Sequence, residues 1–290
     1  MYGPAAPYIA DYIRLLHGQI DSATHLSMWA EPFEVNYLSP ATIAKADSLF
    51  DSARVAAGED AALLDRVELA HLPILWLKLN SFSQGGTLYV KTEELPDYLA
   101  RFTAMVDKHH IVETGAFQND FGKIGKFIDR VRAASETEFY NQWWVIGPFD
   151  NTDNKAMSVA YVPELEFDTS KVYTGKDGKN VSWKKYGDLT TGYVDFNKAF
   201  GYSEYTVAYA RAIIHSSESE TAKFGVGNND GIRIWLNGKM VYDYDKAALG
   251  PNQHFFTARL NKGENSVLVK VDQLRHGWGF YFARMKGSVQ

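Results

Sequence analysis

The feature that most constrains this chain is a change of hydrophobic period near residue 138. Upstream of it, apolar residues recur at helical spacing; downstream they alternate, which suits strands. The two halves therefore call for different architectures. Composition shifts at the same place: five of the seven tryptophans, 11 of the 17 tyrosines and 15 of the 23 glycines lie beyond it. That mix favours twisted sheets with tight turns. The chain is expected to be multidomain, α plus all-β: an irregular helical bundle over 1–136, then a β-sandwich or jelly roll over 137–290.

The helical half divides at its caps. Pro7 fits a first turn, with Ile9, Ile13, Leu16 and Ile20 at helical spacing. Ser39-Pro40 pairs a cap with proline at the first helical position, ahead of Ile43, Ala46, Phe50 and Ala53, and Gly58 ends the run. Glu59 and Asp60 supply acid at the start of a third helix with a stripe of Leu63, Val67, Ala70, Ile74 and Leu77. Pro73 lies inside that stripe and is expected to kink or break it near His71. A fourth helix starts near Pro96 with Leu99, Phe102 and Val106 inward, and a fifth has Ile124, Phe127 and Val131.

In the second half, Thr206–Ile214, Ala222–Val226 and Val267–Asp272 alternate. Turn signals fall at Lys176–Gly178, Asn237–Gly238 and Asn261–Gly263. Asn237-Gly238 is a strong two-residue hairpin signal. A regular hairpin there sets Trp235 against Met240, Ile234 against Val241 and Arg233 against Tyr242. One face would then be aliphatic, and Arg233, Trp235, Met240 and Tyr242 would share the other.

Net charge is −5 over 290 residues, which argues against nucleic acid and anionic membranes as partners, since both need a basic face. Zero cysteines exclude disulfides, thiol nucleophiles and Cys-based zinc sites. The longest apolar run, near 72–77, is too short to span a bilayer. Residues 1–8 lack a signal-peptide pattern, so the chain is expected to begin inside something larger.

The carboxylate pairs Glu31/Glu34, Glu93/Glu94 and Glu164/Glu166 are candidates for glycosidase chemistry, but each fits solvated surface better, and Glu164 and Glu166 would share a strand face. His109-His110 reads as a helix-terminal charge and His71 as a packed bundle residue. No metalloprotease spacing, nucleophile elbow, phosphate loop or dinucleotide fingerprint is present. Asn228, Asn229, Asp230 and the Asp150–Asn154 loop offer hard oxygens suited to calcium, with Asp230 and Asp150 as its carboxylates; Asn and Asp also simply make turns. Flat aromatic faces stack on sugar rings, which makes Trp183, Trp235 and Trp278 candidate glycan platforms against the alternative that they fill a core. Trp143 and Trp144 point to opposite sides of one strand, so at least one belongs to a core. The candidate glycan-binding set is Asn228, Asn229, Asp230, Arg233, Trp235, Tyr242, Trp183 and Trp278.

The runs Tyr2–Ile9, Tyr12–His17 and Arg66–Trp76 resemble the helical region that follows the barrel in bacterial proteins of the DUF4838 family, which are similar to α-glucuronidases and other barrel glycoside hydrolases. Trp144–Asn151, Tyr173–Gly178, Val181–Trp183 and Asn229–Lys239 resemble a jelly-roll module appended to such enzymes. The last run is also similar to the Asp-Asp-Gly hairpin of PA14-type carbohydrate-binding domains, where an acidic pair helps hold calcium; here Asn229 replaces the first acid. The resemblance implies that a catalytic barrel precedes this chain and that no catalytic residue lies on it.

The chain is thus expected to be a non-catalytic C-terminal part of a secreted or periplasmic glycoside hydrolase. Its sandwich would bind a glycan or polysaccharide weakly, or dock on the upstream barrel of the same polypeptide. Two alternatives stand beside this: purely structural domains that pack or form a homodimer, and an independent hydrolase using Glu and His groups.

Overall fold

Capping chemistry sets the helix starts in the first half. Pro7 occupies the first turn of α1 (Ala6–His17), where its missing N–H costs nothing. Ser39 Oγ accepts the Thr42 N–H (3.2 Å) at the start of α2 (Pro40–Ala57). Asp60 accepts from Ala62 and Leu63 (3.0 Å each) at the start of α3 (Ala61–Ser83). With α4 (Leu95–Lys108) and α5 (Ile124–Ser135), these form one compact unit, Met1–Ser135, and Glu136–Gln290 forms a second. The computed structural model describes residues 1–22, 24, 35–113, 123–188 and 190–287; Glu31 and Glu34 lie outside them.

Ile43, Ala46, Phe50 and Ala53 of α2 meet Val67, Ile74 and Leu77 of α3 in a core that includes Ala5 and Ile9. Two expectations are corrected. Ile13 is half exposed, and Ile20 lies beyond the end of α1. The inward face of α1 instead consists of Ile9 with Tyr8, Tyr12 and Leu15. The helix α3 also runs unbroken through Pro73. An interior proline costs about 3 kcal/mol, while burying Ile74, Leu75 and Leu77 contributes roughly 1.5–3 kcal/mol each. Packing outweighs the lost backbone bond.

The second unit contains, in chain order, β1 (Thr137–Phe139), β2 (Gln142–Asp150), α6 (Val162–Leu165), β3 (Tyr173–Thr174), β4 (Asn180–Val181), β5 (Lys184–Gly187), β6 (Tyr193–Asp195), α7 (Phe196–Phe200), β7 (Thr206–Ser216), β8 (Glu220–Asn229), β9 (Ile232–Leu236), β10 (Lys239–Tyr244), β11 (His254–Leu260), β12 (Gly263–Gln273) and β13 (Gly279–Met285). One sheet has the order β1-β13-β8-β11, with β6 also on β13; a six-stranded sheet has the order β10-β9-β12-β7-β2-β5. All their pairings among the described residues are antiparallel. The core between them holds Val267, Val269 and Val271 from one sheet against Phe224, Phe280 and Phe282 from the other. Trp143 lies edge-on to Phe280 and Phe282 at 5.1 and 5.8 Å. Where a loop crosses the other sheet, a Cβ on Gly227 would stand 1.8 Å from the Gly250 carbonyl oxygen, so only glycine fits.

The Asn237-Gly238 turn forms with both residues at positive φ (51° and 79°), as a type I′ hairpin requires. Beyond Met240 the register slips, so that Tyr242 pairs with Ile234 and Asp243 with Arg233. A β-bulge at Val241 causes the slip, and it corrects the expected hairpin faces. Tyr242 turns to the core side and stacks on Phe256 at 5.1 Å.

Both units bury charge. In the bundle, Arg54 and Arg101 donate to His71 Nδ1 (2.7 and 3.0 Å), so the ring proton sits on Nε2 and is donated to Asp47 (2.9 Å). Burial, reinforced by the two guanidiniums, lowers the His71 pKa against the opposing pull of Asp47. In the sandwich, Lys270 is fully buried on the outer side of β12. Its ammonium donates to Glu164 Oε1 (2.7 Å) and to the carbonyls of Val159 (2.7 Å) and Met157 (3.4 Å). The Tyr209 hydroxyl donates to the same Glu164 oxygen at 2.5 Å. Glu164 therefore lies in a helical turn under an ion pair, correcting its expected place on a solvated strand face.

Two predictions follow from these groups. Unfolded histidine titrates near 6.5 and folded His71 lower, so the unfolded chain binds more protons between those values. The stability of the neutral ring is present above pH 6.5 and is lost as pH falls toward the folded value. Urea midpoints between pH 7.5 and 5.5 should fall faster for the wild type than for His71→Asn; equal slopes would refute the coupling. Lys270→Met should cost about 3 kcal/mol by stranding Glu164, whereas Lys270→Met with Glu164→Leu should recover most of it. Urea denaturation of the two variants measures both values.

Candidate functional site

Register places two rows of side chains on the outer face of the six-stranded sheet. One row runs Trp144, Arg211, Leu268, Trp235, Met240 across β2, β7, β12, β9 and β10. The next runs Ile146, Tyr209, Lys270, Arg233, Asp243 across the same strands. At about 4.8 Å per strand, Trp144 and Trp235 stand roughly 14 Å apart. The chain from Ala156 to Trp183 folds over part of this face, burying Ala156, Val181 and Trp183 against Ile146, Phe149 and Tyr209.

Where that cover stops short of Trp235, a cleft of about 520 Å³ remains. Its floor includes Ser266, Leu268 and Arg211; Trp235 forms one wall, and Pro163, Glu164, Leu165, Glu166 and Phe167 form the other. The Arg211 guanidinium lies 4.5 Å from the centre of the Phe167 ring, and burial lowers its pKa. Phe167 is braced edge-on by Trp183 (5.0 Å) and Trp144 (6.3 Å).

The carboxylates of the cleft are already engaged. Glu164 is bound to Lys270 and Tyr209, and burial pushes the Tyr209 phenol far up, with the Glu164 hydrogen bond adding to the shift. Glu166 accepts from Lys171 at 2.9 Å, which holds its carboxyl below the usual range. Burial lowers the Lys270 pKa, while Glu164 opposes that shift. This arrangement suits binding: flat apolar walls, fixed polar edges, and carboxylates held in ion pairs.

The expected glycan set does not come together. Of it, Trp235 lines the cleft. Arg233 is held by Asp243 (2.9 Å) and the Met157 carbonyl. Tyr242 faces the core through the bulge. Trp183 is buried behind Phe167, and Trp278 is fully buried with its indole N–H donating to the Val271 carbonyl (3.1 Å); both are corrected to packing residues. Asp230 lies five residues from Trp235, about 16 Å along extended chain.

The Asn228, Asn229, Asp230 loop is turned inward. Asn228 is buried, and its amide donates to the carbonyls of Lys246 (2.8 Å) and Asp230. The Asn229 amide nitrogen fills the space that a Cβ on Gly277 would need. Asp230 accepts from the Leu274 N–H at 2.9 Å. Asp150 accepts from the Thr152 hydroxyl (2.6 Å) and N–H (3.3 Å). Calcium takes 6–8 oxygens, and among the described residues no group of three or more Asp, Glu or His is placed to hold a metal. Asp230 and Asp150, the expected calcium carboxylates, instead accept hydrogen bonds from the backbone and side chains of their own and neighbouring turns.

Sequence reasoning missed Arg211, Phe167, Lys270 and the role of Glu164. Arg211 does stand out in the sequence: it interrupts the apolar outward positions of β7 between Tyr209 and Ile213. A further cleft of about 510 Å³ follows the edges of β10 and β11, with Met240, Val241, Thr257 and Arg259 among its lining and no aromatic ring.

Among the described residues no helix is long and apolar enough to cross a membrane. No family model matches the chain, and no curated protein does either. Solved structures similar to it include a β-glucosidase from Kluyveromyces marxianus (TM-score 0.31, 14% identity, covering 41% of this chain and 16% of that one). Another is a β-glucuronidase from an uncultured Clostridium (TM-score 0.31, 12% identity, 52% of this chain and 29% of that one). A third is a family 35 carbohydrate-binding module from Clostridium thermocellum (TM-score 0.24, 16% identity, 52% of this chain and 92% of that one). The match thus spans well under two thirds of either enzyme and most of the binding module. The neighbours comprise glycoside hydrolases and a carbohydrate-binding module.

Proposed function

We propose that the β-sandwich unit is a saccharide-binding module and that the chain serves as a non-catalytic part of a glycoside hydrolase. The setting would be the secreted or periplasmic one that the resemblance to barrel enzymes implies. The observation that carries this reading is the cleft between Trp235 and Phe167. It is lined by two aromatic side chains, Trp235 and Phe167, with Arg211, Glu164, Glu166 and Ser266 as its polar groups. Sugar rings present apolar faces and hydroxyl rims, and such a cleft offers a complement to both. The engagement of Glu164 and Glu166 in ion pairs supports binding over acid–base chemistry, which needs one acid free to exchange its proton.

A second reading, docking on the upstream barrel, draws on a different observation. Val159, Leu165 and Val172 are exposed on the segment that covers the sheet, and exposed apolar side chains are the raw material of contact surfaces.

Affinity electrophoresis against a panel of neutral and charged polysaccharides separates the two. At least one polysaccharide should retard the chain, and Trp235→Ala should weaken that binding about tenfold, or 1.4 kcal/mol. Because Trp235 is half-buried and packs against the cluster under the cover, stability should fall as well, by about 1 kcal/mol. Trp278→Ala should instead cost about 3–5 kcal/mol of stability, as a core deletion does. No retardation by any polysaccharide would remove the glycan reading and leave docking.

A further inference from the structure

The rows on the outer sheet face contain four charged groups, and three of them have internal partners. Lys270 is paired with Glu164 and Arg233 with Asp243. Glu166, on the opposite wall, is paired with Lys171. Arg211 differs. Its guanidinium carbon lies 4.5 Å over the Phe167 ring in the cleft, and among the described residues it has no hydrogen-bond or ion-pair partner.

Half-buried guanidinium is a demanding group. It presents five N–H donors in a planar fork and stays charged at any ordinary pH. Stacking on an aromatic ring satisfies its face and fixes its plane, but leaves the edge donors open. Burial has already removed part of their water. A planar oxyanion meets that fork with two parallel charge-assisted hydrogen bonds, roughly twice as strong as neutral ones. Sugar hydroxyls can accept hydrogen bonds from it, but cannot neutralise the charge.

The neighbouring carboxylates do not supply this need. Glu164 accepts from Lys270 and Tyr209, and Glu166 accepts from Lys171. Each therefore already sits beside a cation, and Arg211 is the charge in the cleft left without a counter-ion.

From this arrangement we infer that the saccharide bound between Trp235 and Phe167 bears an oxyanion, a carboxylate or a sulfate, and that Arg211 is the residue that selects it. The inference rests on the saccharide reading of the cleft. Trp235 provides the ring platform and Arg211 the charge selection, so the two contributions separate in experiment.

Affinity electrophoresis of the full chain at low ionic strength tests this with two matched pairs. Polygalacturonate is compared with its methyl ester, and carrageenan with agarose; the first pair isolates carboxylate and the second sulfate. One charged member should bind at least about tenfold more tightly than its neutral counterpart, the scale of a charge-assisted pair. Added salt should erode that preference. Arg211→Gln should reduce the ratio to about one, while Arg211→Lys should keep a part of it, because an ammonium keeps the charge without the fork. Thermal unfolding checks that both variants fold; if Arg211→Gln does not, the lysine variant and the salt dependence of the wild type decide.

Equal binding of charged and neutral members overturns this inference and leaves the saccharide reading standing. A preference that survives Arg211→Gln overturns it as well. Binding to none of the four, or to any wider panel, overturns the saccharide reading itself.

Discussion

A lysine ammonium sealed from solvent governs the outer face of the six-stranded sheet. Stripping an ion of water costs several kcal/mol even after relaxation, so Lys270 is tolerable only while its partners stay in place. Those partners are Glu164 and the carbonyls of Val159 and Met157. The requirement therefore fixes the path of residues 157–164, which contain only a 3-10 turn and the short α6. Tyr209 adds a second bond to Glu164 from the neighbouring strand. Once Glu164 is pinned, Leu165, Glu166 and Phe167 follow within three residues and form a wall of the cleft. A polar contact that looks like local bookkeeping thus shapes the site.

How far the sequence could reveal this depends on which forces were local. Helix starts at Ser39 and Asp60, and the tight turn at Asn237-Gly238, were legible because the deciding hydrogen bonds and backbone angles lie within a few residues. The bulge at Val241 was not, because one extra residue changes no composition yet turns every later side chain over. Pro73 misled because its local cost was visible while the packing of α3 that outweighs it comes from other helices. Lys270 misled most. Alternation with Val269 and Val271 put it on the outer face, but alternation says nothing about whether an outer face is covered. Its partner Glu164 is 106 residues away.

The same distinction separates the two ends of β9. At its start, Asn228, Asn229 and Asp230 looked like ligand donors because they concentrate oxygen and nitrogen in a short loop. The Asn228 amide nitrogen and an Asp230 carboxylate oxygen are instead bonded to the backbone of Lys246, Asp230 and Leu274. Recruiting the Asn228 nitrogen or that Asp230 oxygen to a ligand would first break those bonds, and a buried donor or acceptor left unmade costs about 1–3 kcal/mol. At its other end, Trp235 keeps its face toward the cleft, and no hydrogen bond must break for a ring to stack there.

Rigidity completes the case for the cleft. Its floor lies on β7, β12 and β9, each paired on both sides within the six-stranded sheet. Phe167 is wedged by Trp144 and Trp183, and Arg211 lies over Phe167. Ordering flexible side chains on binding costs about 0.5–1.5 kcal/mol apiece, and here packing has done that ordering in advance. The buried tryptophans are thus not idle beside half-buried Trp235: Trp183 holds Phe167, which lines the same cleft. A sheet face ready to bind without rearranging follows from the same packing that hid most of its aromatic residues.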